Sequence, residues 1–289
     1  MRKYLQMLLE SLQNFDRDDG YAMSSHIALQ GLTAIFPFLI VVTSLAGLLG
    51  VQPIADDAAR AFFEIWPPQV AAPILNQIHR VLTARHGGLL TISAVLAVYF
   101  SSSGVEALRS GLNRAYGLTE TRPWWRLRLQ SIGYVLIAAL ALLSLTFLLV
   151  LGPTIWAVAV KFAPALAPAS RLVSLGRFVV ATIIVLIALV VAHRVLPNAK
   201  LRLRDCAPGI ALTFVAWMAF ALAFSAYLSR FAFNYVATYA GLASVMIAIV
   251  FLYALGAIFI YGAELNEAVA RARNARLLNK RRDRSPALR

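Results

Sequence analysis

The feature that most constrains this chain is a set of six long apolar runs, at approximately residues 25–50, 88–108, 130–157, 175–195, 207–230 and 241–264. A bilayer core about 30 Å thick is crossed by roughly 20 residues of helix, and every run reaches that length. Inside hydrocarbon the backbone N–H and C=O groups have to be satisfied within the segment, so runs of this kind fold as helices. The expected fold is all-α, a polytopic membrane helix bundle with six transmembrane helices and short amphipathic interfacial helices. Composition supports lipid over a soluble core: the chain is 60% hydrophobic and 14% charged, with a mean hydropathy of +0.73.

Charge sets the orientation. The chain has 27 Lys and Arg against 13 Asp and Glu, a net charge of +14. Six spans put both termini on one side, and 20 of the basic residues fall on that side against 7 on the other. Positive residues are retained in the cytoplasm during insertion, so both termini are expected there. Five of the 20 form the second loop, namely Arg109, Arg114, Arg122, Arg126 and Arg128, beside Trp124 and Trp125, a pair suited to an interfacial aromatic belt. The expected partners are the phospholipid bilayer and its anionic headgroups, held by the basic loops and tail. The charge sign alone would also suit nucleic acid, but no specific nucleic-acid partner follows from it. A homo-oligomer is compatible with the sequence.

Redox and metal chemistry find little support. Cys206 is the single cysteine, and His26, His79, His86 and His193 are scattered, so no disulfide, metal centre or cofactor is expected. No signal peptide is apparent: Tyr4, Leu5, Leu8, Leu9, Leu12 and Phe15 form a helical stripe, read as an interfacial helix. The expected layout is a membrane domain over 1–270 and a flexible basic cytoplasmic tail over 271–289. The long first outer loop carries two amphipathic stretches, 53–66 and 69–84, around Pro67 and Pro68. Gly152 and Pro153 either kink or end the third span. Asp205 is expected to cap the fifth, whose first turn tolerates Pro208. Residues 231–242, with Asn234, Tyr235, Thr238 and Tyr239, suit the outer interface.

Polar residues inside apolar spans are costly unless paired or facing a cavity, so function is sought there. His26, Gln30, Thr33 and Pro37 share one face of the first span, and Pro37 deprives the Thr33 carbonyl of its helical donor. Such a face lines a pathway in the transporter reading; a plain proline kink is the structural alternative. The second span ends with Ser102, Glu106, Arg109 and Asn113 on a common side, with Glu106 and Arg109 as expected partners. The sixth ends comparably with Tyr261 and Glu264, so Glu106 and Glu264 are expected at similar depth near the cytoplasmic boundary. Gly104 and Gly262, two residues before each glutamate, would let another helix approach. The candidate polar pathway or gate is therefore His26, Gln30, Thr33, Pro37, Glu106, Arg109, Asn113, Tyr261 and Glu264. An inter-helix network fixing bundle register is the alternative for the carboxylates.

These segments carry a resemblance. The stretch from Ala22 through Ser25, His26 and Ala28 to Phe36, Pro37 and Phe38 is similar to the opening helix of the YihY/BrkB family of bacterial inner-membrane proteins. Ala107, Leu108, Arg109, Leu112, Asn113, Ala115, Tyr116 and Gly117 match its Arg-x-x-x-Asn-x-x-Tyr-Gly segment. Leu196, Pro197, Pro208, Gly209, Tyr239 and Tyr253 follow, and the run Gly262 to Asn266 is the most specific piece. Departures are mild: Ala240 stands where the family commonly has Gly, and Phe251 where it commonly has Trp. The resemblance implies a six-helix protein of the bacterial inner membrane, described as a transporter or an envelope and virulence-related factor, historically labelled a ribonuclease.

Three functions follow as expectations. The first is a transporter or lipid- and envelope-handling protein, from the polar faces inside the spans. The second is a non-transporting scaffold or envelope-assembly partner, for which small-residue helix surfaces and a basic tail suffice. The ribonuclease is least supported, because metal-assisted phosphodiester hydrolysis needs clustered carboxylates or histidines, and Asp16, Asp18 and Asp19 sit at the edge of a terminal helix. The protein is not expected to be an enzyme.

Overall fold

The computed structural model describes residues 2–48, 89–199, 201–239 and 242–283. Among these the chain is helical throughout, without strands: α1 (Arg2–Arg17), α2 (Gly20–Leu48), α3 (Leu89–Ala115), α4 (Trp124–Thr146), α5 (Gly152–Phe162), α6 (Ser170–Val195), α7 (Leu203–Tyr239) and α8 (Ala243–Asp283). Among the described residues, four stretches are long and apolar enough to cross a membrane: Trp124–Leu149, Pro164–Val195, Leu203–Arg230 and Val245–Arg273. They overlap the expected third to sixth spans. The expected first and second spans overlap α2 and α3, helices of 29 and 27 residues that are not among these four. The first outer loop with its two amphipathic stretches lies outside the described residues.

Apolar side chains point outward along these helices. Phe178, Ile183, Ile187, Val215 and Leu222 are all exposed, an arrangement that water disfavours and lipid accommodates. The interior is made of small residues and short apolar ones. One cluster joins Val41, Val42, Ala97, Val135, Ala139 and Leu143 from α2, α3 and α4. A second gathers Leu112, Ala115, Leu189, Ile210, Phe259, Ile260 and Ala263 with Phe15 of α1. Between helices in lipid, close van der Waals packing replaces hydrophobic burial as the adhesive force. Both glycines that precede the glutamates accordingly sit at helix contacts. A methyl on Gly104 would lie 3.4 Å from the Ala34 Cβ, and one on Gly262 would lie 2.9 Å from the Gly209 carbonyl oxygen.

The Gly152–Pro153 step, expected either to kink or to end the third span, coincides with a change of helix type. A π-helical turn, Phe147–Leu151, connects α4 to α5, and the Gly152 N–H donates to the Phe147 carbonyl five residues back. The wider turn enters α5 with Pro153 at its second position, where its missing N–H has no intrahelical bond to make. At the other end of the chain, α8 continues as helix to Asp283, past residue 271 where the expected tail begins. Asp205 is not a cap: it lies within the first turn of α7 and forms an ion pair with Arg273 of α8. The outer segment after the fifth span is helix as far as Tyr239.

Candidate functional site

The polar groups converge where α3 ends. Gly117, at φ +61°, occupies the left-handed position that closes a helix: its N–H donates to the Arg114 carbonyl (2.9 Å) and the Leu118 N–H to the Asn113 carbonyl (2.7 Å). That turn carries residues 118–123 back beneath α3. Asn113, 7% exposed, donates to Glu120 Oε2 at 3.0 Å and accepts from the Asn198 N–H at 2.8 Å. Asn198 donates in turn to the Thr119 carbonyl and to Thr121 Oγ1. Arg122 grips both oxygens of Glu120 at 2.8 Å and also reaches the Leu196 carbonyl at 3.0 Å. The bidentate bond from Arg122 holds the Glu120 carboxyl well below its usual range, at about 2.

Arg109 lies one turn above. Its Nη1 donates to Ser131 Oγ (3.1 Å) and the Leu127 carbonyl (3.3 Å) of α4, and its Nε stands 3.8 Å from Glu120 Oε2. Its expected partner Glu106 is taken by Arg128 instead, at 2.7 Å. Arg128 also stacks over the Tyr99 ring at 3.5 Å. Arg114 pairs with Asp19, which turns the chain from α1 to α2 at a positive φ. Between these groups opens a cavity of about 460 Å³, lined by Glu106, Arg109, Ser110, Asn113, Arg114 and Glu120 among others.

A second, buried network ties α6, α7 and α8 to the end of α3. Asn266 donates to the Tyr116 hydroxyl at 3.0 Å, Tyr116 lies 3.1 Å from His193 Nδ1, and the Gly209 N–H donates to Asn266 Oδ1 at 2.6 Å. The hydroxyl accepts from Asn266 and shares one hydrogen bond with His193 Nδ1, while His193 Nε2 is buried with no hydrogen-bond partner among the described residues. Tyr116 is buried, which pushes its phenol up and keeps it a donor. Cys206 Sγ lies 3.9 Å from the His193 carbonyl oxygen.

The sequence-expected residues divide between these networks and the outside. Arg109, Asn113 and Glu106 belong to the cavity. His26 and Thr33 are exposed, with Gln30 and Pro37 half-buried, and the Thr33 hydroxyl bonds the Leu29 and Gln30 carbonyls of its own helix. Tyr261 donates to the Leu8 carbonyl and so anchors α1. Glu264 is 1% exposed, and among the described residues neither oxygen has a hydrogen-bond partner. The matched depth of the two glutamates is corrected. Gly111 of α3 abuts Ile260 of α8, and the two helices run the same way. Glu106 is five residues before that level and Glu264 four beyond it, a separation of about 13 Å at 1.5 Å per residue. Among the described residues no three His, Cys, Asp or Glu gather to hold a metal ion.

Sequence reasoning passed over Glu120, Asn198 and His193. The turn preference of Asn198 after Pro197 and the presence of one histidine inside an apolar run were the available signals.

A helical bundle with outward apolar faces and one heavily arginine-paired end defines a polytopic membrane protein. The chain belongs to the virulence factor BrkB family, whose model matches residues 11–287. It is 30% identical to the ribonuclease-like protein YfkH of Bacillus subtilis (strain 168) over 263 residues, which is 91% of this chain and 94% of that protein. No solved structure matches it.

Proposed function

We propose that the protein is a transporter or lipid-handling protein of the bacterial inner membrane, crossing it six times with both termini in the cytoplasm. The observation that carries this reading is the cavity of about 460 Å³ at the arginine-rich end, whose lining offers Arg109 and Arg114 beside Glu106 and Glu120. Charges of both signs around one opening suit a polar group that itself carries both, such as a zwitterionic headgroup or metabolite. The basic loops and tail hold this end against anionic headgroups, and the exposed Leu9 and Leu12 of α1 lie in the same interface. No enzymatic activity belongs to this reading, and the ribonuclease-like name stays with the relative that bears it.

A scaffold without flux is the second reading, favoured by one observation: Arg109, Asn113, Glu120, Arg122 and Asn198 already satisfy one another. Native mass spectrometry of the full chain in mild detergent separates the two. A stoichiometric bound compound, lost in Glu106→Gln and in Arg114→Gln while both variants stay folded, supports transport or lipid handling. Only heterogeneous bulk phospholipid in all three samples refutes it and leaves the scaffold. Ribonuclease activity that survives rigorous purification and disappears on substituting a carboxylate would refute both.

A further inference from the structure

At the opposite end of the bundle Arg177 meets no anion among the described residues. Arg177 lies in α6, sixteen residues before His193 and so about 24 Å from the network along the helix axis. It is half-buried in a largely apolar helix, and among the described residues its side chain makes one hydrogen bond, to Ser174 Oγ of its own turn at 3.2 Å. The stem of Arg177 rests on the joint between the π turn and α5, where a methyl on Gly152 would stand 3.1 Å from Arg177 Cδ. Glycine is what lets the side chain lie there. Beside it opens a cleft of about 440 Å³ between α5 and α6, bordered by Pro153, Trp156, Val160, Ser170 and Ser174. Trp156 Nε1 donates to Ser170 Oγ at 3.0 Å, which fixes the indole as a wall of the cleft.

An arginine at membrane depth is expensive unless a counter-charge reaches it. Ten of the chain's 13 carboxylates lie on the arginine-rich side by sequence, and the other three, Asp56, Asp57 and Glu64, lie in the first outer loop. The guanidinium fork matches a phosphate oxygen pair. Exposed Ile155, Val158, Leu172, Leu175 and Phe178 on the two helices beside the cleft offer an apolar surface along which acyl chains would run.

We propose that the cleft between α5 and α6 is a phosphate-binding site, with Arg177 as the ligand to the phosphate of an anionic phospholipid headgroup whose acyl chains lie on the flanking apolar surface. This site is independent of the cavity at Arg109. The test is native mass spectrometry of the full chain in detergent, titrated separately with dioleoyl phosphatidylglycerol, with inorganic phosphate and with dioleoylglycerol, which lacks phosphate. The expected result is one saturable phosphatidylglycerol adduct, weakened about tenfold in Arg177→Gln, the loss of one charge-assisted hydrogen bond, and less in Arg177→Lys. Arg126→Gln, on the far side of the bundle and outside both cavities, leaves it unchanged. Binding of inorganic phosphate as tightly as the lipid would assign the site to a free phosphate and overturn the lipid assignment. Equal phosphatidylglycerol binding by wild type and Arg177→Gln would reduce Arg177 to a side chain reaching for the interface. A site that fills only after Asp56, Asp57 and Glu64 are neutralised would show that the chain supplies its own anion, which also overturns the proposal. Thermal unfolding of each variant distinguishes lost binding from lost fold.

Discussion

Replacing Gly209 by alanine tests the packing that holds the arginine-rich end together. The added Cβ would stand 2.6 Å from Asn266 Cγ and closer still to the Gly262 carbonyl oxygen, so α7 and α8 have to separate. Overpacking of this kind costs about 1–3 kcal/mol. Displacing Asn266 also strains its 2.6 Å acceptance from the Gly209 N–H, worth about 1 kcal/mol. Against this, alanine gains about 0.5–1 kcal/mol over glycine inside a helix. The net loss is about 1–3 kcal/mol, a fall in Tm of about 2–12 °C for a large chain. Two internal controls isolate the steric effect, because a methyl on Gly133 of α4 or Gly176 of α6 meets nothing within 4 Å. Gly133→Ala and Gly176→Ala should hold Tm or raise it by about 1–4 °C. Thermal unfolding of the four proteins in one detergent is the assay. If Gly209→Ala is as stable as the two controls, α7 and α8 do not cross at Gly209 and Gly262, and the network built on that crossing fails with it.

The pH dependence of stability carries the signature of Glu120. Its carboxyl is depressed to about 2 from an ordinary 4.5, first by the Arg122 bond, so its contribution is complete above about 4.5 and is lost as pH falls toward 2. The difference in Tm between wild type and Glu120→Gln should therefore shrink between pH 5 and pH 2; a constant difference would contradict the pairing. Cys206 is fully buried and is the only cysteine, so N-ethylmaleimide should label the folded protein slowly and Asn266→Ala, which releases Tyr116 and Gly209, much faster. Fast labelling of wild type would place the thiol at an accessible surface. Glu264→Leu, which removes a buried carboxyl whose oxygens lack partners, should fold with a Tm at or above wild type; a fall beyond about 5 °C would reveal a partner for that carboxyl.

The helices were legible in the sequence because length and apolar content are properties of a segment by itself. The third span shows where that ends. Gly152 and Pro153 announce an interruption, yet residue type alone does not say that the helix widens into a π turn there, nor that Arg177 from α6 lies on the glycine. Helix caps misled for a related reason. Asp205 has the residue type and position of a cap, but Arg273 on α8, 68 residues later, gives it an ion pair within the helix instead.

The candidate site was half legible, and the division follows the range of the contacts. Arg109 and Asn113 stand out as polar residues on one face of α3, and helical spacing proposes Glu106 as the partner of Arg109. Spacing specifies only which side chains are neighbours on a helix. It does not weigh a rival from another helix, and Arg128 reaches Glu106 from α4 with a shorter, charge-assisted bond while stacking on Tyr99. With Glu106 bonded to Arg128, the hydrogen bonds of Arg109 go to Ser131 and the Leu127 carbonyl, and its nearest ion-pair partner is Glu120. His193 illustrates the complementary failure. A lone histidine among scattered ones suggests no metal centre, but a buried imidazole needs a hydrogen-bond partner, and Tyr116 supplies it from a helix end 77 residues earlier. Burial, and not sequence proximity, selects the partners of polar groups in this bundle. The same demand for a partner, applied to Arg177, leads to the phosphate site, where the group that satisfies it comes from the membrane.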